Sequence, residues 1–414
     1  MAPEKTRKQR LQHWIFSRLR LVTRSIAFYP ALMSLGFLLL AVLLVSVDAS
    51  KAGLRLKANV EWLRLKDATT ARTMISVAAA GILSLTVFTF TMVMVILNQA
   101  ASQMSNRVLD KLIGNRYQQV VLGCYIGTII YALFLLSTIS DEQAGAFVPA
   151  LSTYLLIVLT IVDIFLFIFF LHYITQSVKY AVVIGRIRRQ TEKVLRQNCL
   201  SDKAEWKIPE GAIPVAAPQS GIFDGFNQKG LLHLADSAGI RITLAEVSDT
   251  YLLEGAPILW LPDIPEARDP RLLEQLQLLL FQADNETDAL NYYKGFRQLT
   301  EVAVKALSPG VNDPGTAVES LQALSELLSL RMRLDPGNVL CGEDGTVRVL
   351  TREHSLAALV DRSFCAVWDY GHSDRTVRRE LKRLLLQLLA IRQEPALQRL
   401  LHSVELRLKE AGQE

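Results

Sequence analysis

Four long apolar segments alternate with polar stretches over the first 180 residues of the chain. Each segment is long enough to cross a bilayer, because about 20 helical residues span the roughly 30 Å of hydrocarbon. The pattern therefore predicts four transmembrane helices. They cover Ile26 to Val47, Met74 to Leu97, Val120 to Ile139 and Phe147 to Ile174.

The second apolar segment contains a row of polar residues. It continues beyond Leu97 without a Gly or Pro to end it, and at 100° per residue the polar side chains fall on one side of a helix. Such a row is typical either of a packing seam between helices or of the wall of a water-filled path. Both interpretations stay open. The candidate path-lining residues are Ser84, Thr91, Asn98 and Ser102.

Asp163 is the only acidic residue inside the four predicted spans. An Asp at this depth costs about 2.5–3.5 kcal/mol on insertion scales, so its side chain should face protein or water and have a partner. We expect that partner among the hydroxyl and amide groups of the polar row on the second span. Two interpretations stay open, namely a cation or proton site and a buried carboxyl group that bonds neighbouring helices.

The third segment contains a G-x-x-x-G spacing, formed by Gly123 and Gly127. In a membrane helix this spacing lets the backbone of a partner helix approach closely. We expect these two glycines to form a packing face rather than a binding site.

The hydrophobic pattern changes after the fourth segment. Residues 180–200 are typical of a basic amphipathic helix that continues the fourth span, and a Pro- and Gly-containing linker follows. Alternating apolar residues then predict strands at Gly221 to Phe226, Arg241 to Val247 and Ala256 to Leu261. The segment from Glu246 to Leu259 resembles the turn of a small lipoyl-like barrel-sandwich, but it has no lysine for covalent attachment.

From Asp269 onward the pattern is helical. Asp269-Pro270 and Asp313-Pro314 each place an N-capping carboxylate before a Pro that suits the first helical turn. Asn338 to Leu350 predicts a hairpin.

Together these elements predict a mainly α membrane protein. Its four transmembrane helices precede a cytosolic α+β region, which contains a small β-barrel-sandwich-like unit and then a helical domain. The predicted domains are a basic arm (1–25), a transmembrane domain (26–179), a basic helical extension with a linker (180–208), a β-rich domain (209–265) and a helical domain (266–414).

Lys and Arg residues flank the predicted spans unevenly, within a formal net charge of +5. The N-terminal arm, the second loop and the segment after the fourth span are rich in them, whereas the third loop, 140–145, has none. Cytoplasmic loops retain Lys and Arg, so both termini are predicted to be cytoplasmic. The first loop is also basic, but the three other basic segments together determine the predicted orientation. The basic residues of 180–200 fit either binding to anionic lipid headgroups or this topology alone.

The sequence contains no pattern that indicates catalysis. It has no G-x-x-x-x-G-K-[ST], H-E-x-x-H or G-x-S-x-G motif, and histidines such as His354 occur singly on apolar faces, where a core role is the default. The isolated cysteines suggest neither a disulfide framework nor a zinc site. They are Cys124, Cys199, Cys341 and Cys365. We therefore expect no enzymatic activity, no cofactor, no bound metal and no nucleic-acid partner.

Several segments carry a resemblance to a known family. They are Leu83 through Arg107, Gln118 to Gly123 with Gly127-Thr128, Phe296-Arg297-Gln298-Leu299 and, most specifically, Ala306-Leu307-Ser308-Pro309-Gly310-Val311-Asn312-Asp313-Pro314. The chain resembles, over nearly its whole length, a bacterial family of predicted membrane proteins termed domain of unknown function 2254. The resemblance implies four spans, a cytosolic C-terminal half and no established activity. Asn291 departs from the acidic residue expected near the start of its helix.

The S-P-G-V-N-D-P string has two interpretations. Ser308-Pro309-Gly310 can end one helix while Asn312 and Asp313 accept the unpaired amides of the next, whose first turn Pro314 fixes. A capped corner of this kind explains every residue type present. The alternative is a polar site in which Arg297, Asn312 and Asp313 bind an ion or ligand.

The sequence supports two alternative functions. The first is a homo-oligomeric channel or transporter for a small ion in the bacterial inner membrane, with the cytosolic half as its vestibule or regulatory domain. An oligomer is expected because a shared pore needs a symmetry axis. The second is a membrane-anchored scaffold or sensor whose cytosolic domain binds a partner.

Overall fold

A computed structural model describes residues 28–51, 67–103, 116–139, 148–177, 179–197, 202–282 and 291–412 of the chain. The described residues form two compact units, one containing the four apolar helices and the other the residues from Lys179 onward. The predicted basic arm, 1–25, and the third loop, 140–145, lie outside the described residues.

The four predicted spans are confirmed as helices long and apolar enough to cross a membrane. A helix suits such segments because it satisfies the backbone hydrogen bonds internally where water is absent. The second helix has 36 residues and begins before its apolar run. The helices are α1 (Phe28–Ala49), α2 (Ala68–Gln103), α3 (Arg116–Thr138) and α4 (Ala150–Ser177).

Helix α3 packs closely on α1 through its glycine pair. A Cβ atom added to Gly127 would lie 2.7 Å from the ring of Phe37, and one added to Gly123 would lie 2.7 Å from the sulfur of Met33. The packing face predicted from the G-x-x-x-G spacing is therefore confirmed. On another side α3 contacts α4, and the hydroxyl of Tyr131 donates a 3.0 Å hydrogen bond to a carbonyl of that helix.

Asp48, near the C-terminal end of α1, caps the N-terminus of α4. Its carboxylate accepts hydrogen bonds from the amides of Leu151 and Ser152, at 3.1 and 2.9 Å, and from the Ser152 hydroxyl at 2.6 Å. The residues before α4, Val148 and Pro149, offer no side chain that could cap this helix locally. The fully buried Asp48 carboxylate thus satisfies amides that would otherwise have no partner.

In the second unit, helix α5 (Tyr180–Gln197) packs on helices α8 (Tyr293–Ala306) and α9 (Pro314–Leu334). Its buried side is apolar apart from Thr191. The prediction of one helix continuous with the fourth span is wrong, because α4 ends at Ser177 and α5 begins at Tyr180 as a separate helix. The apolar side of α5 is used for packing within the second unit, which explains why this segment belongs to that unit.

In the described part of the second unit, eight strands form two sheets. The three predicted strands are confirmed, and so is the hairpin, which joins the larger sheet because Ile242 pairs with Val349 in parallel. The sheet orders are β1-β5-β3-β8-β7 and β4-β2-β6. The strands are β1 (Ile213–Ala216), β2 (Gly221–Phe226), β3 (Ile242–Leu244), β4 (Thr250–Leu252), β5 (Pro257–Leu261), β6 (Leu280–Gln282), β7 (Val339–Cys341) and β8 (Val347–Leu350).

Both sheets share one apolar core with two helices. Phe223 of the smaller sheet, Leu259 of the larger sheet and Leu231 of a flanking helix all belong to it. The larger sheet therefore takes strands from segments on both sides of residue 265, where the sequence suggested a domain boundary. The barrel-sandwich-like arrangement of the strands stays a prediction.

Two helices of the second unit begin at the Asp-Pro caps that the sequence predicted. Asp269 accepts a 2.9 Å hydrogen bond from the amide of Arg271, and Asp313 accepts a 3.1 Å bond from the amide of Thr316. The remaining helices are α6 (Gln228–Ser237), α7 (Pro270–Leu279), α10 (Leu356–Val360), α11 (Ala366–Gly371), α12 (Arg375–Ile391) and α13 (Pro395–Glu410), with a π-helical turn (Asp361–Cys365) between α10 and α11.

Replacing Asp48 by Ala should destabilise the membrane unit by about 1–3 kcal/mol, because it removes a cap and leaves buried amides unsatisfied. The measurement is the unfolding midpoint of the purified full-length protein in detergent. Asp67→Ala is the matched control, since Asp67 caps α2 from an exposed position through the amides of Thr69 and Thr70. An equal loss in both variants would contradict the role assigned to Asp48.

Replacing Gly295 by Ala should destabilise the second unit by about 1–3 kcal/mol through overpacking. A Cβ atom at this position would lie 1.7 Å from the Thr191 hydroxyl oxygen, so α5 and α8 would have to separate. Gly185→Ala on α5 is the control, because its Cβ would have its nearest neighbour at 3.4 Å. Denaturant melts of the full chain should show a loss for the first variant only, partly restored by adding Thr191→Ala.

Candidate functional site

Helix α2 has two opposite faces along its length. One face is buried and repeats every seven residues at Ile75, Ile82 and Thr89. The other face bears the predicted polar row, and Ser84, Thr91 and Asn98 are all exposed there. None of the described helices of the chain covers this row. The side chain of Ser102 lies outside the described residues.

The polar row leads into a groove between α2 and α4. The groove has a volume of about 610 Å³, and four threonines contribute to its lining. They are Thr69, Thr70, Thr73 and Thr160. Thr70 lies on the same seven-residue repeat as Ser84, with Val77 between them, so the groove lies on the same face of α2 at its N-terminal end.

Asp163 lies apart from this row. It is the fourteenth of the 28 residues of α4, only 2% exposed, and the Thr128 hydroxyl of α3 lies beside its carboxyl group. The expectation that the polar row of α2 would partner Asp163 is wrong, since that row faces away from the bundle. No pattern in the sequence indicates Thr128 as a neighbour, because contacts between helices are set by how the helices pack.

The S-P-G-V-N-D-P corner is a tight, hydrogen-bonded turn between α8 and α9. The Asp313 carboxylate accepts hydrogen bonds from the backbone amide and the hydroxyl of Thr316. The backbone amide of Asn312 donates to the Ser308 carbonyl at 2.9 Å. Asn312 has a φ of +48°, a left-handed conformation that Asn tolerates better than most residues. The Asp313 cap is therefore confirmed, whereas the hydrogen bond described for Asn312 lies within the turn and not with an amide of α9.

Arg297 is held by acidic residues elsewhere in the second unit. Its guanidinium pairs with the carboxylate of Asp249, which lies in the turn between β3 and β4, and approaches Glu301 at 3.8 Å. The Asp249 side chain is only 6% exposed, so the pair is largely shielded from water. Asp313 instead caps its own helix. A shared ligand site formed by Arg297, Asn312 and Asp313 stays a prediction.

Asn291 contributes to the start of α8. Its side-chain oxygen accepts a 2.9 Å hydrogen bond from the Tyr293 amide, and its side-chain nitrogen donates to Asp224 at 3.4 Å. Lys294 approaches the same Asp224 carboxylate at 3.7 Å. An amide fits here because it both accepts from the first amide of the helix and donates to a carboxylate, and an ionised acid cannot donate.

His354 is buried in the second unit, as its apolar surroundings in the sequence suggested. Its ring stacks on Tyr293, and its Nε2 forms a 2.8 Å hydrogen bond with the Ser248 carbonyl. That acceptor requires the Nε2–H tautomer. Burial, together with nearby arginines such as Arg362, lowers the pKa of His354 to about 4. The ring is therefore neutral at physiological pH and acts as a structural bridge.

Among the described residues, no group of three or more His, Cys, Asp or Glu side chains is arranged to hold a metal ion.

The pKa of His354 predicts a pH-dependent loss of stability. Because this pKa is lower in the folded than in the unfolded protein, protonation favours unfolding, and the stabilisation present above pH 6.5 is lost as the pH falls towards 4. The full effect is about 3 kcal/mol. As the pH falls from 6.5 towards 4, the unfolding midpoint should decrease less steeply in His354→Gln than in the wild type. His402→Gln, at an exposed position, should follow the wild type. Parallel curves for all three proteins would refute this assignment.

Comparison with known proteins supports the membrane assignment. The chain is 26% identical over 330 residues to an uncharacterized protein of Mycobacterium bovis and to one of Mycobacterium tuberculosis. The match covers 76% of this chain but 63% of each relative, so the chain spans less than two thirds of their length. No solved structure matches it. A family model described as "Predicted membrane protein (DUF2254)" matches residues 23–387, and the chain belongs to this family.

Proposed function

We propose that this protein is an oligomeric channel or transporter for a small ion, in which copies of α2 place their polar rows around a shared path. The observation that carries the proposal is the position of Ser84, Thr91 and Asn98 on the exposed face of α2, opposite its buried face. A row that was only a seam within the protomer would be covered by α1, α3 or α4.

The physical argument rests on the cost of polar groups in lipid. Thr91 satisfies its hydroxyl by donating a 2.9 Å hydrogen bond to the Val87 carbonyl of its own helix. The Asn98 amide has two donors and an acceptor, so one such bond cannot satisfy it. Assembly of several copies around a symmetry axis would remove the row from lipid and let it face water.

The length of α2 fits this arrangement. Its 36 residues extend over about 54 Å, well beyond the roughly 30 Å of hydrocarbon. The row begins at the threonine-lined groove beside Thr70 and ends at Asn98, near the opposite end of the helix. We propose that the groove is the entrance on the outer side.

The proposed setting is the bacterial inner membrane, with both termini in the cytoplasm. The distribution of Lys and Arg supports this orientation. The second unit would then act as a cytosolic vestibule or regulatory domain.

One observation favours the alternative of a membrane-anchored scaffold or sensor. Tyr251 and Leu253, on and beside strand β4, are 63% and 66% exposed. Neighbouring apolar side chains on a short strand are typical of a surface that binds another protein. This function predicts that the second unit captures a partner and that the purified protein moves no ions.

Disulfide crosslinking tests whether the polar rows meet. In a chain whose native cysteines are replaced by Ala, Ser84→Cys and Thr91→Cys should form disulfide-linked dimers in oxidised membranes. Leu83→Cys and Phe90→Cys are the controls, because they are also exposed on α2 but about a quarter turn or more away from the row. Equal crosslinking at all four positions would contradict the proposed assembly.

Ion flux into proteoliposomes tests the function itself. The wild type should conduct Na⁺, K⁺ or Cl⁻, and Asn98→Leu should lower that flux by about tenfold or more, because it removes an amide that would otherwise solvate the ion. Leu83→Ala should leave the flux unchanged. If the wild type conducts none of these ions, the proposal fails and the scaffold alternative stands.

A further inference from the structure

Four buried polar side chains lie inside the helix bundle, on the side of α2 opposite the polar row. They are Thr89 of α2, Tyr125 and Thr128 of α3 and Asp163 of α4, and none is more than 4% exposed. Thr89 Oγ1, Tyr125 OH, Thr128 Oγ1 and Asp163 Oδ2 each lack a hydrogen bond of normal geometry within the described residues, and the polar contacts described for them are with one another, Thr128 with Asp163 and Tyr125 with Thr89. Buried polar atoms in native proteins are nearly always satisfied, so four such atoms together form a candidate ligand site.

These side chains face one another across three helices. The Thr128 hydroxyl lies beside the Asp163 carboxyl group, and the Tyr125 hydroxyl is directed towards that of Thr89. Tyr125 is also within electrostatic range of Asp163. The four oxygens therefore belong to one buried cluster near the midpoint of α4.

The two threonines differ from others in the same bundle. Hydroxyls in membrane helices usually donate to the carbonyl four residues earlier, and Thr86, Thr153 and Thr160 do so at 2.7–2.9 Å. Thr89 and Thr128 form no such bond within the described residues. Their oxygen lone pairs are therefore available to a ligand in the cluster.

The charge of the cluster defines the ligand. The basic side chains described in or beside the spans lie near helix ends, at Lys51, Arg72 and His172, and the groups described as acting on Asp163 include no basic side chain. A buried carboxylate without a counter-charge is unstable in a membrane. One carboxylate with three neutral hydroxyl oxygens suits a hard cation of single charge, whereas a divalent ion would leave an unbalanced positive charge.

We propose that the bundle of a single protomer binds one monovalent alkali cation, coordinated by Asp163 together with Thr128, Thr89 and Tyr125. The site is separate from the proposed conduction path, because it lies on the inner side of α2. It does not rest on the proposed function, since occupancy can be measured without flux.

The first test is binding of ²²Na⁺ to the purified full-length protein in detergent, with N-methyl-D-glucamine maintaining the ionic strength. We expect saturable binding of one Na⁺ per chain, competed by unlabelled alkali cations. Asp163→Asn should abolish binding, and Thr128→Val should weaken it by about tenfold. Thr128→Ser should retain it, because Ser keeps the hydroxyl oxygen. Thr175→Val is the control, because that hydroxyl donates to the Leu171 carbonyl on the exposed side of α4.

The second test is thermal unfolding of the same proteins in Na⁺ and in N-methyl-D-glucamine. Na⁺ should raise the midpoint of the wild type and of Thr175→Val by several degrees, but not that of Asp163→Asn. Gel filtration shows whether each variant is folded, and the Val and Ser variants at position 128 provide an independent comparison. The proposal is overturned if the wild type shows no saturable binding, or if folded Asp163→Asn binds Na⁺ like the wild type. A carboxyl group that only bridges helices in its neutral form would give the first of these results.

Discussion

The membrane unit is governed by one constraint, which is that a polar group in hydrocarbon must find its partner within the protein. Most hydroxyls of the bundle meet it by donating to a carbonyl of their own helix, as Thr160 does at 2.8 Å. Asp48 meets it for another helix by accepting the first amides of α4. Polar groups that have no such partner therefore indicate a further contact or a ligand.

Two sets of polar side chains remain unexplained by the fold of one protomer, and they lie on opposite sides of α2. The outer set, which includes Asn98, is exposed and would be satisfied by water or by another copy of the chain. The inner set, centred on Asp163, is buried and would be satisfied by a small cation. Helix α2 therefore contributes to two distinct features, and a substitution on one face need not affect the other.

The second unit depends on close packing rather than on charge. Helix α5 approaches α8 so closely that only glycine fits at position 295, beside Thr191. The polar groups there are largely structural, since Arg297 pairs with Asp249 and His354 bridges to the Ser248 carbonyl. The S-P-G-V-N-D-P motif likewise performs a local task, because Asp313 caps the helix that it precedes. A distinctive motif thus marks a demanding turn of the backbone as readily as a binding site.

The sequence by itself determined the four spans, the close face at Gly123 and Gly127, the helix caps and most of the strands. These features follow from local physics, namely helical length in hydrocarbon, seven-residue and two-residue periodicity, and the preference of Asp and Asn for helix starts. The sequence did not determine whether the polar row is exposed, because periodicity shows which residues share a face but not what that face contacts.

Only the tertiary structure decided which side chains meet across helices. The pairing of Asp48 with α4 joins residues about 100 positions apart, and no local pattern signals it. The grouping of Asp163 with Thr128, Tyr125 and Thr89 likewise depends on the packing of three helices. Long-range contacts of this kind arise from the rotation and register of packed elements, which composition and periodicity do not encode.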